Sequence, residues 1–150
     1  MTVRTIKAIP DHIESHIKNK SRQINGDKNF EEYIKQFYGK IIHFDLMGFD
    51  NDYLFAIVQS SYEFYKNFSG STKIRIFNPD QKEHGWQSND TVVEIVTADC
   101  PFLVDSLTSA INDQGHKVNR IFNRVLKVKR TDKGNLSDIY NRNSNNIDDT

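Results

Sequence analysis

A single cysteine, Cys100, stands in 150 residues. It excludes an internal disulfide and any cysteine-rich zinc site, and it suits a reducing compartment. No apolar run approaches the eighteen or more residues of a membrane-spanning helix. Arg4, Lys7, Asp11 and Glu14 interrupt the first twenty residues, so neither a secretory signal nor a membrane segment is expected. A soluble, cytoplasmic location is the expectation. Net charge is also missing: twenty basic and twenty acidic residues cancel. Neutrality removes any whole-molecule attraction to nucleic acid or anionic membrane. Apolar residues make up only 37%, so the ten Phe and six Tyr must supply much of any core.

What is present begins with helices. Ile6, Ile9, Ile13, Ile17 and Ile24 recur at helical spacings, and Pro10 suits the first turn of a helix. Asn25-Gly26-Asp27 interrupts the pattern. Phe30, Tyr33, Ile34, Phe37 and Tyr38 predict a second helix with an aromatic face, stopped at Gly39. Residues 41–49 are ambiguous, with a single turn at 45–48. Asp50 or Asn51 can cap a third helix carrying Tyr53, Leu54, Ile57, Val58, Tyr62, Tyr65 and Phe68, ended by Ser69-Gly70-Ser71. Aromatics at this spacing read as buried packing faces.

After Gly70 the period changes. Lys73–Phe77 alternates as a short strand, and 81–90 reads as a polar loop with His84, Gly85 and Trp86. Thr91–Thr97 is rich enough in Val and Ile to predict a central strand. A helix from Pro101 to about Gln114 would turn Leu103, Leu107, Ala110 and Ile111 inward, closed by Gly115. His116–Arg130 reads as a long strand with a bulge near Asn123, and Asp132-Lys133-Gly134 as a hairpin turn. Asn- and Asp-rich residues beyond Ser137 predict a frayed polar tail. The expected fold is thus α+β: a helical segment over 1–70, a partial ferredoxin-like β-α-β-β unit over 71–137, and a tail over 138–150. A complete ferredoxin-like sandwich is βαββαβ, so a closing α-β pair is missing from the pattern.

The junction at Asp99-Cys100-Pro101-Phe102-Leu103 is the candidate site. A strand ends there and a helix starts at once, placing unbonded backbone N–H groups where small anions are held. No side chain suited to difficult chemistry adjoins it, which points to sensing or assembly. Cys100 could be a reactive thiol at the helix start, or a small residue that fits the turn.

Other chemistry fits poorly. His12 and His16 lie one helical turn apart, but Glu14 is not in the position a zinc-protease helix requires. Asp50-Asn51-Asp52 lacks the Gly and distal Glu of a calcium loop. No phosphate loop, dinucleotide fingerprint or nucleophile elbow occurs. Neither catalytic nor metal-binding residues are therefore expected. Lys117, Arg120, Arg124, Lys127, Lys129 and Arg130 make one stretch basic. RNA binding would also need paired strand aromatics, and Phe122 stands alone.

Lys73-Ile-Arg-Ile-Phe-Asn-Pro79, Gly85-Trp86, Thr91–Ser106 and the basic Val125–Arg130 stretch, in this order, resemble the N-terminal region of the large NAD-specific glutamate dehydrogenases. The resemblance covers about Lys73–Leu136 and, more weakly, Phe30–Phe68. It implies an ACT-type domain, a module that commonly binds amino acids or pairs with other copies. It also implies a downstream catalytic domain of the same chain, holding NAD and oxidatively deaminating L-glutamate. No cofactor would bind within residues 1–150, and a homo-oligomer is expected. Ligand-binding ACT domains usually carry Asp-x-Pro-Gly at the strand-to-helix turn. Phe102 occupies the Gly position here, which favours a structural or assembly role. If an effector binds, Asp99 would take its ammonium, and the Phe102 and Leu103 N–H groups its carboxylate. A free-standing amino-acid sensor and a small RNA-binding protein are the competing readings.

Overall fold

The computed structural model describes residues 11–24, 26–39 and 48–141. Helices α1 (Asp11–Ile24), α2 (Lys28–Tyr38) and α3 (Asn51–Tyr65) come first. Strand β1 (Lys73–Phe77), the short helix α4 (Gln81–His84), strand β2 (Val92–Val96) and helix α5 (Leu103–Asp113) follow. Strands β3 (Val128–Arg130) and β4 (Leu136–Ile139) complete the described elements. The result is an α+β chain with the order of a partial ACT-like unit, β2-α5-β3-β4.

The aromatic spacing of the sequence becomes the core. Phe30, Tyr33, Ile34, Phe37 and Tyr38 of α2 pack against Leu54, Phe55, Val58 and Tyr62 of α3, with Ile17 from α1. Asp27 caps α2 by accepting from the Asn29 N–H, and Asp50 caps α3 by accepting from the Tyr53 N–H. Each cap satisfies a donor that the first helical turn leaves open. Asp27 also accepts the Tyr62 hydroxyl hydrogen at 2.8 Å, so one carboxylate both starts α2 and ties it to α3. Ile6 and Ile9 of the predicted stripe, and the ambiguous 41–47, fall outside the described residues.

The strands form two separate antiparallel pairs, β1 with β2 and β3 with β4. Both are pinned to the C-terminal end of α3. Lys73 Nζ donates to the carbonyls of Phe64 and Asn67 at 2.6 and 3.0 Å. Arg130 Nη1 donates to the Lys66 carbonyl at 2.9 Å, and its Nη2 to that of Tyr65 at 3.1 Å. A helix end exposes unpaired carbonyls with a partial negative charge, and two cations from two different strands satisfy it. Gly134, in the turn predicted at 132–134, donates its N–H to the Thr131 carbonyl and accepts from the Phe68 N–H at 2.9 Å.

Several expectations need correction. The 81–90 loop contains α4 because Asp80 accepts from the Lys82 and Glu83 N–H groups and Gly85, at φ 77°, ends the turn. Helix α3 stops at Tyr65, before Ser69-Gly70-Ser71. Strand β2 is not central, having β1 as its sheet partner and Val93 45% exposed. Helix α5 turns Leu103, Leu107 and Ile111 only partly inward; Ala110 is exposed and no α5 residue is buried. The long strand read over 116–130 shrinks to Val128–Arg130, and the register break falls between Lys129 and Arg130. Upstream, side chains bond elsewhere: Asn119 to Asp90, Arg120 over the Phe49 ring, and Arg124 Nε to the Gln36 carbonyl. Past Ser137, β4 carries Ile139 into the helical core, 9% exposed.

Candidate functional site

The β2–α5 junction is built by backbone rather than by side chains. After Val96 the chain runs exposed through Asp99, Cys100 and Pro101. Phe102 then adopts φ 60° and ψ 15°, the left-handed region, and occupies the N-cap position of α5. A bulky residue is strained there, and nothing in its side chain can cap a helix. No side chain bonds the first α5 turn, while the Phe102 carbonyl accepts the Ser106 N–H at 2.9 Å. The first N–H groups of α5 consequently point out without an intrahelical partner.

These residues frame a shallow cleft of about 210 Å³. Four of the five sequence candidates, Asp99, Cys100, Phe102 and Leu103, line it. Pro101 lies beside the cleft without lining it. Sequence reasoning missed Asp105, in the first turn of α5, and Asn123, which reaches the cleft from the irregular 117–127 stretch. Asp105 was legible as a first-turn acid; Asn123 was legible only as the place of a bulge, because the strand read over 116–130 does not form there. Cys100 is a free, exposed thiol. Phe102 lines the cleft while 77% exposed.

The lining of the cleft is unequal in charge. Asp99 and Asp105 offer two carboxylates, and no lining residue is basic. An ammonium group has two carboxylate partners; a carboxylate has the backbone N–H groups, the positive end of the helix dipole and the Asn123 side-chain amide.

The other candidates disperse. His16 Nε2 lies 2.9 Å from the Asp52 carboxylate, which Lys20 Nζ also approaches at 2.6 Å. Those two partners hold the Asp52 carboxyl below the usual carboxylate range, Lys20 more than His16. His16 thus links α1 to α3, and the His12 side chain lies outside the described residues. Among the described residues no three metal-ligating side chains cluster, and no helix is long and apolar enough to cross a membrane. In the basic stretch, Arg120, Arg124 and Arg130 are engaged with rings or carbonyls of the same chain.

Helices followed by a β-α-β-β series make this an α+β protein with the element order of a partial ACT-like unit. Comparison by sequence is more specific. The glutamate dehydrogenase ACT1 domain family matches residues 33–150, and the chain belongs to it. It is 41% identical over 76 residues to the NAD-specific glutamate dehydrogenase of Pseudomonas aeruginosa, covering 51% of this chain and 5% of that enzyme. It is 32% identical over 136 residues to the NAD-specific glutamate dehydrogenase of Halomonas elongata, covering 89% of this chain and 8% of the relative. The aligned part is therefore less than a tenth of either relative. No solved structure matches.

Proposed function

We propose that residues 1–150 form an N-terminal regulatory or assembly segment of a large NAD-dependent glutamate dehydrogenase. The parent reaction is oxidation of L-glutamate with NAD and water to 2-oxoglutarate, ammonia and NADH. The family match over 33–150 carries this reading. Catalytic groups and NAD would belong to a downstream domain of the same protein. Within this reading the chain divides near residue 70 into a helical segment and an α/β unit, and the working form is a cytoplasmic homo-oligomer.

The β2–α5 cleft is the proposed control point. An amino acid would place its ammonium between Asp99 and Asp105 and its carboxylate on the open N–H groups of Phe102 and Leu103. The unequal lining described above supports this orientation. A stretch of backbone donors at a helix start suits a carboxylate of one charge. Titrating amino acids into the intact enzyme while following glutamate-dependent NAD reduction tests the proposal. Modulation that Asp99→Asn and Asp105→Asn together abolish, with basal turnover retained, is the expected result. Modulation that survives both changes places the effector elsewhere.

The same cleft would serve a free-standing amino-acid sensor, the second reading. It requires ligand stabilisation of a protein of 17.5 kDa; a ligand at 100 times its Kd adds about 2.7 kcal/mol.

A further inference from the structure

A one-turn helix is too short to hold itself, and α4 is held by reciprocal bonds instead. The His84 N–H donates to the Asp80 carbonyl at 2.8 Å, and the Asp80 N–H returns the bond to Nδ1 of the His84 ring at 3.1 Å. Gly85 and Gln81 repeat the arrangement one residue on. The Gly85 N–H donates to the Gln81 carbonyl at 3.2 Å, and Gln81 Nε2 donates to the Gly85 carbonyl at 2.9 Å. A capping box usually reaches back to the N-cap N–H with a Glu or Gln at the third helical position. Glu83 holds that position here, yet His84, at the fourth, closes the box. The His84 ring also stacks on Phe77 of β1, with centroids 4.5 Å apart. The next residues fasten the turn to α3. A Cβ on Gly85 would lie 3.7 Å from that of Ala56, and the buried Trp86 meets the Tyr53 and Phe77 rings edge-on.

An imidazole nitrogen accepts a hydrogen bond only through a lone pair, so the ring that takes the Asp80 N–H is neutral. Protonation turns Nδ1 into a second donor facing the Asp80 N–H, and the reciprocal bond is lost. Histidine is the side chain whose charge ordinarily changes between about pH 5 and pH 8. We infer that His84 is a pH-operated latch: neutral, it closes α4 and seats Trp86 against α3; protonated, it releases the turn. The device holds whether or not the chain opens a longer enzyme. Charged and titratable groups surround the ring without replacing the lost bond. On its own turn, Asp80 Oδ1 takes the Lys82 and Glu83 N–H groups, and the Lys82 side chain adds a cation. On the hairpin, Glu94 is bonded by Arg75, whose guanidinium lies 4.5 Å from the Phe77 ring centre. On α3, Tyr53 meets Phe49 and Trp86. Asp80, Glu83, Glu94 and the C-terminal end of α4 attract an imidazolium, while Lys82 and Arg75 repel it. Nδ1 alone stands opposite the Asp80 N–H.

Hydrogen exchange of the intact protein, followed by mass spectrometry on peptides spanning 78–87, tests the latch. Observed rates are corrected for the intrinsic exchange rate at each pH, and peptides from α2 and α3 report on the core. Going from about pH 8 to about pH 5 should lower protection over 78–87 by about threefold or more, the loss of one hydrogen bond, while α2 and α3 keep theirs. His84→Gln supplies an acceptor that does not titrate and should hold protection constant over that range. His84→Phe keeps a ring on Phe77 without an acceptor and should show the low protection at every pH. Unchanged protection of the wild-type turn overturns the inference. So does the same acid loss in His84→Gln, which would place it with the carboxylates, or wild-type protection in His84→Phe. Loss shared by α2 and α3 overturns it as well, by making the change a general acid unfolding.

Discussion

At the scale of single residues, two backbone positions hold most of the unusual geometry. Phe102 sits at φ 60° with an exposed ring, so the strain has no compensating burial. Replacing it with Gly should stabilise the chain by about 1 kcal/mol, because Gly enters the left-handed region without a Cβ penalty. Chemical denaturation of both proteins measures this, and a less stable variant would mean that the ring makes a contact worth more than the strain. Gly134 is the opposite case. Its φ is 81°, and a Cβ there would overlap the Phe68 carbonyl, to whose amide the Gly134 carbonyl is bonded. Gly134→Ala should cost roughly 1–3 kcal/mol and loosen the β3–β4 hairpin from α3. Unchanged stability would show that this turn is free to move. The Gly134 turn was legible from Asp132-Lys133-Gly134 alone. The strain at Phe102 was not, since nothing in a side chain's identity announces a positive φ for a bulky residue.

At the scale of elements, α3 organises the rest. Its N-terminus takes Asp50, and its C-terminal carbonyls take Lys73 and Arg130. Arg130→Met should cost about 1.5–3 kcal/mol, the range for hydrogen bonds to a charged group. Arg130→Lys should recover only part, having no planar fork to reach both Tyr65 and Lys66. Equal stability of the two variants would remove Arg130 as a cap. The Arg75–Glu94 pair is the other polar strut. Its guanidinium stacks on Phe64 and Phe77 at 4.7 and 4.5 Å and bonds the Glu94 carboxylate. Burial pushes the Glu94 carboxyl above the ordinary range despite Arg75. A raised folded-state value means the protonated form is favoured by folding. The stability it brings is complete below the unfolded value and declines as the pH rises through the folded one. Glu94→Gln should flatten that decline in a pH series of unfolding midpoints; an unaltered slope would assign it to another group.

Helices α2 and α3 were readable because aromatic residues at 3.6-residue spacing leave one packing solution. Helix α4 was not, because four residues are too few for a period and only Asp80 and Gly85 mark its ends. The stretch from 116 to 127 alternates like a strand, yet Arg120 and Arg124 find a ring and a helix carbonyl instead. Tertiary partners outweighed local pattern there. The candidate cleft was readable as a strand-to-helix turn. Its second wall, Asn123, depends on that unformed strand.

At the scale of the whole molecule, phenol groups hold the core. Tyr38 donates to the Leu54 carbonyl at 2.6 Å while 1% exposed, Tyr33 meets Ser61 at 2.9 Å, and Tyr62 bonds Asp27. Burial pushes all three hydroxyls well above the ordinary tyrosine value. Folding keeps them neutral, so this contribution is intact below pH about 10 and is lost as the pH rises beyond it. Phenolate absorbance from these tyrosines should therefore appear only together with alkaline unfolding. Phenolate formed in a still-folded chain would contradict the packing described. The neutral overall charge, the three-helix core and the half-covered β1–β2 hairpin fit a segment whose surface is meant for other protein. The proposed place of this segment is at the front of a much longer dehydrogenase. The mass of the native protein, read by immunoblot with an antibody to residues 11–141, tests it most directly. A band far heavier than 17.5 kDa is expected; a band at that mass would rule out the long dehydrogenase and leave the free-standing sensor.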